Sequence, residues 1–183
     1  MNAGEARATA PPGAPEARIV VERARTRDVP VIRSLVAPYA EQRVLISKDV
    51  VTYYEAVPEF RVARDVATGE VLGCGALHVM WEDLAEIRTL AVARIARGRG
   101  IGGLLVDRLL EDARALGVAR VFCLTFETRF FEAHGFEPIE GQAVEPAVYA
   151  QLLHSYDEGV AEFLDLERVK PNTLGNTRML CIL

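Results

Sequence analysis

Residues 90–110, LAVARIARGRGIGGLLVDRLL, constrain this chain more than any other stretch. They set a strand, a cationic glycine-rich turn and an amphipathic helix in direct succession, and that order builds an anion site. Gly98, Gly100, Gly102 and Gly103 let the backbone turn tightly and approach a ligand closely. The first N–H groups of the helix lack partners inside it and point at whatever binds there. Arg97 and Arg99 make the turn positive, so a pyrophosphate suits it. It is not a P-loop, because no G-K-[ST] follows, and the acidic ribose ligand expected about twenty residues beyond a dinucleotide fingerprint's strand is missing.

The rest of the chain supplies an α/β frame for that turn. RIVVERA, from Arg18, reads as a first strand, with Thr26 as the N-cap of a helix that runs to about Ala40 and Asp28 near its positive end. Val50 to Val57 reads as a short helix stopped by Pro58. FRVAR and VLGCGALHVM are strands two and three, joined by the turn DVATGE, and LAEIRTLAV is strand four. Between Gly100 and Leu116 the apolar residues Ile101, Leu104, Leu105, Leu109, Ala113 and Leu116 recur at helical steps. ARVFCLTF is nearly all apolar, as for a strand buried on both faces, and a helical crossover makes it parallel to strand four. RFFEAHGF reads as a short helix closed by Gly135, EPAVYAQLLHSYDEGVAEF as one further helical stretch, and RMLCIL as a terminal strand.

With 183 residues, half of them hydrophobic, the chain fits one domain, 18–183, behind an Ala-, Pro- and Gly-rich tail, 1–17, expected to be disordered. The net charge of -5 argues against a broad basic surface, hence against nucleic acid and anionic membrane as partners. No apolar stretch has the length of a membrane span, and the tail lacks a secretory h-region. Cys74, Cys123 and Cys181 are odd in number and show no C-x-x-C spacing, so neither a disulfide framework nor a zinc site is encoded, and a cytoplasmic location is expected. His78, His134 and His154 have no second ligand at metal spacing and read as structural, so no metal is expected. The Tyr53, Tyr54 pair reads as a helix face against the core.

R97-G98-R99-G100-I101-G102, standing after a strand that ends LAV, resembles the R/Q-x-x-G-x-G/A motif of the GNAT superfamily of N-acetyltransferases. F131-E132-A133-H134-G135-F136 resembles that family's short helix and following strand. The resemblance implies a GNAT fold: a mixed, mostly antiparallel sheet with a central parallel pair, strands four and five, splayed apart and flanked by helices. Acetyl-CoA would lie in the splay. Its pantetheine arm would pair with Leu90, Ala91 and Val92, and its pyrophosphate would sit on Arg97, Gly98, Arg99, Gly100, Ile101, Gly102 and Gly103. Splayed strands leave N–H and C=O groups that cost free energy when buried unless a ligand's amides satisfy them. A freed N–H near Thr89 or Leu90 would polarise the thioester carbonyl.

VLISKDVVTYYEAVPEF, GCGALHV, EIRTLAV, VFCLTFETRFFEAHGF and EFLDLERVKPNTLGNTRML together resemble the stand-alone amino-acid N-acetyltransferases of the N-acetylglutamate synthase type. That likeness implies acetyl transfer to the α-amino group of glutamate or glutamine, the first step of arginine biosynthesis. Some relatives carry an amino-acid-kinase-like regulatory domain ahead of the transferase; with 17 residues before its first strand, this chain is expected to lack one. The alternatives are a protein N-terminal or lysine acetyltransferase and, from another class, a non-catalytic domain that senses acyl-CoA. A homodimer is left open.

Glu86, on strand four just ahead of the oxyanion-polarising segment, is the candidate general base; the structural alternative is a carboxylate paired with Arg88 on the same face. Where the family often has a tyrosine acid this chain has Phe130 and Phe131, so Thr128 is the substitute, against a capping role for its hydroxyl. An α-amino acid brings a carboxylate, for which Lys48, Arg88 and Arg178 are the candidate cations. Asn172 and Asn176, flanking PNTLGN, are candidate amide contacts, although that segment is also ordinary turn chemistry.

Overall fold

Short β-branched runs separated by turns produce the strands β1 (Ile19–Arg23), β2 (Phe60–Asp65), β3 (Val71–Trp81), β4 (Leu84–Val92), β5 (Arg120–Thr125), β6 (Glu137–Pro138) and β7 (Thr177–Ile182) in a computed structural model. The structure describes residues 18–41, 48–169 and 175–183. These strands form one sheet in the order β1-β2-β3-β4-β5-β7-β6. Every neighbouring pair is antiparallel except β4 and β5. That is the GNAT-type mixed sheet with one parallel pair. β7 slots between β5 and β6, which completes the sheet on the far side of the parallel pair.

Between β1 and β2 lie α1 (Val29–Glu41) and α2 (Val50–Glu55); α3 (Ile101–Ala115) crosses from β4 to β5, and α4 (Thr128–Glu132) follows β5. One sheet face packs against α3 and α4, through Leu109, Ala113 and Phe131 on Ala85, Ile87, Val121 and Cys123. The opposite face packs against α1 and α2, through Ile32, Val36 and Tyr53, and further along against α5 (Pro146–Leu152) and α6 (Glu158–Phe163), through Leu152, Val160 and Phe163 on Leu84 and Phe122.

The helix over α3 forms where its apolar period places it, but its buried stripe is rotated. Leu104 is 45% and Leu116 64% exposed, whereas Val106 and Leu110 are buried. The reason lies in β3. A side chain at Gly73 would meet Ile101 and Leu105 at 3.1 Å, and one at Gly75 would meet Leu109 at 3.0 Å, so the two glycines let α3 settle on the strand along those residues.

Two other expectations are corrected. Thr26 is not an N-cap: residues Thr26–Asp28 make a 3-10 turn, and the Asp28 carboxylate accepts the Arg25 N–H at 2.8 Å. The single helical stretch over 145–163 is two helices. α5 stops at Leu152, and Asp157 starts α6 by accepting the N–H groups of Gly159 (2.9 Å) and Val160 (3.2 Å). No described helix is long and apolar enough to cross a membrane.

Candidate active site

β4 and β5 pair only at Leu84 with Arg120, Ala85 with Val121 and Glu86 with Phe122. Beyond Glu86 the two strands part, and the backbone of Ile87–Val92 has no β5 partner. β4 is also bent there: its register against β3 shifts between Cys74 and Ala76, and Thr89, a β-branched residue, holds a φ of 58°. Such a conformation is costly and persists only where its surroundings impose it. Strand four therefore ends as an opened edge whose amides face a gap.

That edge leads into the glycine-rich turn. Gly98 and Gly100 hold φ of 75° and 76°, which favour glycine, and a Cβ on either would meet nothing within 4 Å, so the space above the turn is open. Arg97 and Arg99 are exposed beside them. The 15-residue helix α3 begins at Ile101 with no side-chain cap, so its first N–H groups remain available to an anion. Gly102 and Gly103 face α4: a Cβ would touch Phe130 at 3.3 Å and His134 at 3.2 Å. Tyr39 closes the turn from α1. Its ring lies 5.2 Å from the Arg97 guanidinium, its hydroxyl accepts from Arg97 at 2.9 Å, and it donates to the Val92 carbonyl at 3.0 Å. An open anion cradle beside an unpaired strand edge fits the diphosphate and amide-bearing arm of coenzyme A.

At the point where the strands separate lies a cluster of charged groups. Glu86 is 3% exposed, and its Oε2 has no hydrogen-bond partner. Burial pushes its carboxyl up to about 7; Arg88 opposes the rise and Glu162 adds to it. Arg88 donates through Nη1 to both oxygens of Asp157 (3.0 and 2.8 Å) and through Nη2 to Glu59 (3.3 Å), yet stands 3.7 Å from Glu86. His78 shares the same two carboxylates, with Nδ1 2.8 Å from Glu59 and Nε2 3.7 Å from Asp157. Burial alone would raise Asp157 and Glu59, but hydrogen bonds from Arg88 to the first and from His78 to the second outweigh it and hold both below the ordinary carboxylate value. Glu162 behaves like Glu86: burial, aided by Glu158 and Asp157, pushes it up to about 7.

The remaining predicted residues divide. Lys48 is half-buried near this cluster, its ammonium destabilised by burial and by Arg88, with Glu86, Asp157 and Glu59 acting the other way. Arg178, on β7, donates to the carbonyls of Gly141 (3.1 Å) and Phe163, and burial makes its guanidinium easier to deprotonate. Asn176 is half-buried just ahead of β7, and Asn172 lies outside the described residues. Thr128 opens α4 beyond its N-cap, Glu127, which makes no side-chain cap bond, and is half-buried. Sequence reasoning missed Tyr39, Glu59, Asp157, Gly159 and Glu162. Of these only Asp157 carried a local signal, an acidic residue followed by Glu158 and Gly159 inside a supposedly continuous helix.

A cavity of about 450 Å³, lined by Trp81, Asp83, Arg120 and Val148 among others, lies at the paired end of β4 and β5, away from the splay. Asp83 holds Arg120 there at 3.0 and 3.1 Å, so that cation is spoken for. Among the described residues no group of His, Cys, Asp or Glu could hold a metal.

Compared with known proteins, residues 30–136 match the acetyltransferase (GNAT) family. A protein of Mycobacterium tuberculosis named amino-acid acetyltransferase is 57% identical over 169 residues, covering 92% of this chain and 97% of its own. A Mycobacterium tuberculosis crystal structure in complex with CoA and NLQ has 58% identity and a TM-score of 0.86, covering 90% of this chain and 99% of that one. N-acetylglutamate synthase from Neisseria gonorrhoeae, complexed with coenzyme A and N-acetyl-glutamate, has a TM-score of 0.72. At 24% identity, over 93% of this chain and 36% of that one, it shows the fold alone.

Proposed function

The chain belongs to the GNAT acetyltransferase family, and from that premise we propose that it moves the acetyl group of acetyl-CoA to the α-amino group of free glutamate or glutamine. This would be the first step of arginine biosynthesis, carried out in the cytoplasm. The observation that carries the proposal is the buried Glu86 carboxyl, whose Oε2 has no hydrogen-bond partner, at the point where β4 leaves β5.

Acetyl-CoA would supply an acyl group already activated as a thioester. Leu90, Ala91 and Val92 would hold its arm, and the turn from Arg97 through Gly98, Arg99, Gly100, Ile101 and Gly102 to Gly103 its pyrophosphate. Glu86 takes a proton from the incoming ammonium, directly or through a water, and a base held at about 7 is matched to that task near neutral pH. A backbone N–H freed at the Thr89 bend polarises the acyl carbonyl and stabilises the oxyanion. Thr128 would relay a proton to the departing sulfur, its hydroxyl taking up a proton from water as it gives one. Lys48 holds the acceptor's α-carboxylate: Arg88 is already held by Asp157 and Glu59, and Arg178 by backbone carbonyls.

The test is an acceptor panel. Thiol release from acetyl-CoA is followed with each standard amino acid, with amidated amino acids, with free-amine peptides and with no acceptor. Glutamate and glutamine should lead and amidated forms should fail, because an amide leaves a buried cation unpaired at roughly 2–5 kcal/mol. Release with peptides alone would favour protein acetylation, and binding of acetyl-CoA without release for any acceptor would favour a sensor.

A further inference from the structure

We propose that Gly159, in the first turn of α6, is a positioning residue for the acyl transfer: the absence of its side chain leaves the space that the Glu86 carboxylate occupies. The proposal rests on the assignment of Glu86 as the base. A Cβ built on Gly159 would lie 2.0 Å from Glu86 Oε2 and 2.8 Å from its Cδ, and 3.0 Å from Asp157 Oδ1. Non-bonded atoms settle at about 3.5–4.0 Å, so Glu86 and a side chain at 159 cannot share this place.

Conformation does not explain the glycine. Gly159 is not among the residues of positive φ, so an alanine would fit its backbone, and glycine is a poorer helix former than alanine. Space is the remaining reason. α6 is also fixed against β4, because the same Asp157 carboxylate that caps α6 accepts from Arg88 on that strand. Every residue from Gly159 to Phe163 is buried, and Glu162, three places along, shares the helix face of Gly159. The charged and titratable groups around Glu86 are Arg88 from β4, Cys123 from β5, Asp157 and Glu162 from α6, and Lys48 ahead of α2. The α6 backbone at Gly159 lies against a carboxyl that is 3% exposed.

The experiment compares Gly159→Ala, Glu86→Gln, Glu86→Asp and the double variant Gly159→Ala/Glu86→Asp. It measures acetyl-CoA Kd, kcat, KM for the acceptor and the pH–rate profile. Gly159→Ala should lower kcat about 10²-fold or more, the scale of a misplaced general base, while acetyl-CoA Kd stays within about twofold. Its acid limb should move below the wild-type value near 7, because a displaced carboxylate is better hydrated. The shorter Asp clears the added methyl, so the double variant should turn over about tenfold faster than Gly159→Ala. Wild-type kcat and pH profile in Gly159→Ala, beside an impaired Glu86→Gln, would overturn this proposal alone; full activity in Glu86→Gln would overturn the base assignment beneath it. If Gly159→Ala does not fold, the double variant decides: a folded, active double variant supports the clash with Glu86, and an unfolded one refutes it.

Discussion

Replacing Glu86 by Gln should make the protein slower and, above neutral pH, more stable. The carboxyl is held at about 7 instead of its ordinary 4.5, chiefly by burial. Between those two values the unfolded chain has released its proton while the folded one keeps it, so wild-type stability falls as pH rises through that window. Full ionisation in the folded state corresponds to about 3 kcal/mol at 1.36 kcal/mol per pH unit. With Glu86 3% exposed, solvent screening takes little from that figure. The amide has no such term. It does bring an N–H or C=O into the place where Oε2 finds no partner, but that cost is the same at every pH. The pH-dependent part of the difference between variant and wild type therefore isolates the ionisation. Thermal melts followed by circular dichroism should give a Tm gap that widens by roughly 6–12 °C from below pH 4.5 to above pH 7, at about 2–4 °C per kcal/mol for a domain of this size. From about pH 7 upward, where wild-type Glu86 is ionised, kcat of the variant should lie about 10²–10⁴-fold lower, with the deficit shrinking below that pH as Glu86 takes up its proton and again at alkaline pH, where more of the amine is already neutral. A gap that does not change with pH would refute the buried-carboxylate account, and an unchanged rate would refute its use as a base.

Gly102→Glu should abolish the rise in Tm that acetyl-CoA produces, about 2.7 kcal/mol of stabilisation at a hundredfold excess over Kd, because its side chain starts 3.3 Å from Phe130 and adds an anion at the turn. A folded Gly102→Glu protein with normal coenzyme binding would remove the cradle assignment. Asp157→Ala should cost about 2.5–4 kcal/mol in chemical denaturation at neutral pH, the sum of a helix cap at about 1 kcal/mol and charge-assisted bonds to Arg88 at about 1.5–3 kcal/mol. Since the folded structure holds Asp157 below 3.8, its contribution is complete above that pH and fades as pH falls through its folded value; a loss that persists undiminished in strong acid would contradict this.

Strand four, the crossover helix and strand five were legible because each is encoded locally, by β-branched runs and by a helical repeat after a glycine turn. The splay was legible only through resemblance, since nothing in LAEIRTLAV marks Glu86 as the last paired residue or Thr89 as the bend. The break before α6 was hidden for a different reason. Apolar residues recur on both sides of residues 153–157, and the turn after Leu152 and the Asp157 side chain's bonds to Gly159 and Val160 that separate the two helices are not marked by that pattern. Glu59, His78, Arg88 and Asp157 come from four separate elements, and no periodicity relates such distances in sequence.

That four-element network bears on the two roles open to Glu86 and supports the proposed one. Had Arg88 been its partner, the carboxylate would be ionised and structural, with its acidity strengthened by the cation. Arg88 instead spends its short contacts on Asp157 and Glu59, at 2.8–3.3 Å, and reaches Glu86 only at 3.7 Å, beyond a hydrogen bond. His78 adds to the same two carboxylates. The cluster thus sorts its acids by who holds them: Asp157 and Glu59 are pinned as anions, while Glu86 and Glu162, buried without such partners, retain protons to near neutral pH. Carboxyls driven apart in this way take different jobs. Asp157 fixes α6 against β4, and Glu59 ties the turn ahead of β2 to β3 and β4; Glu86, where the strands part, is the acid the proposed function uses as its base.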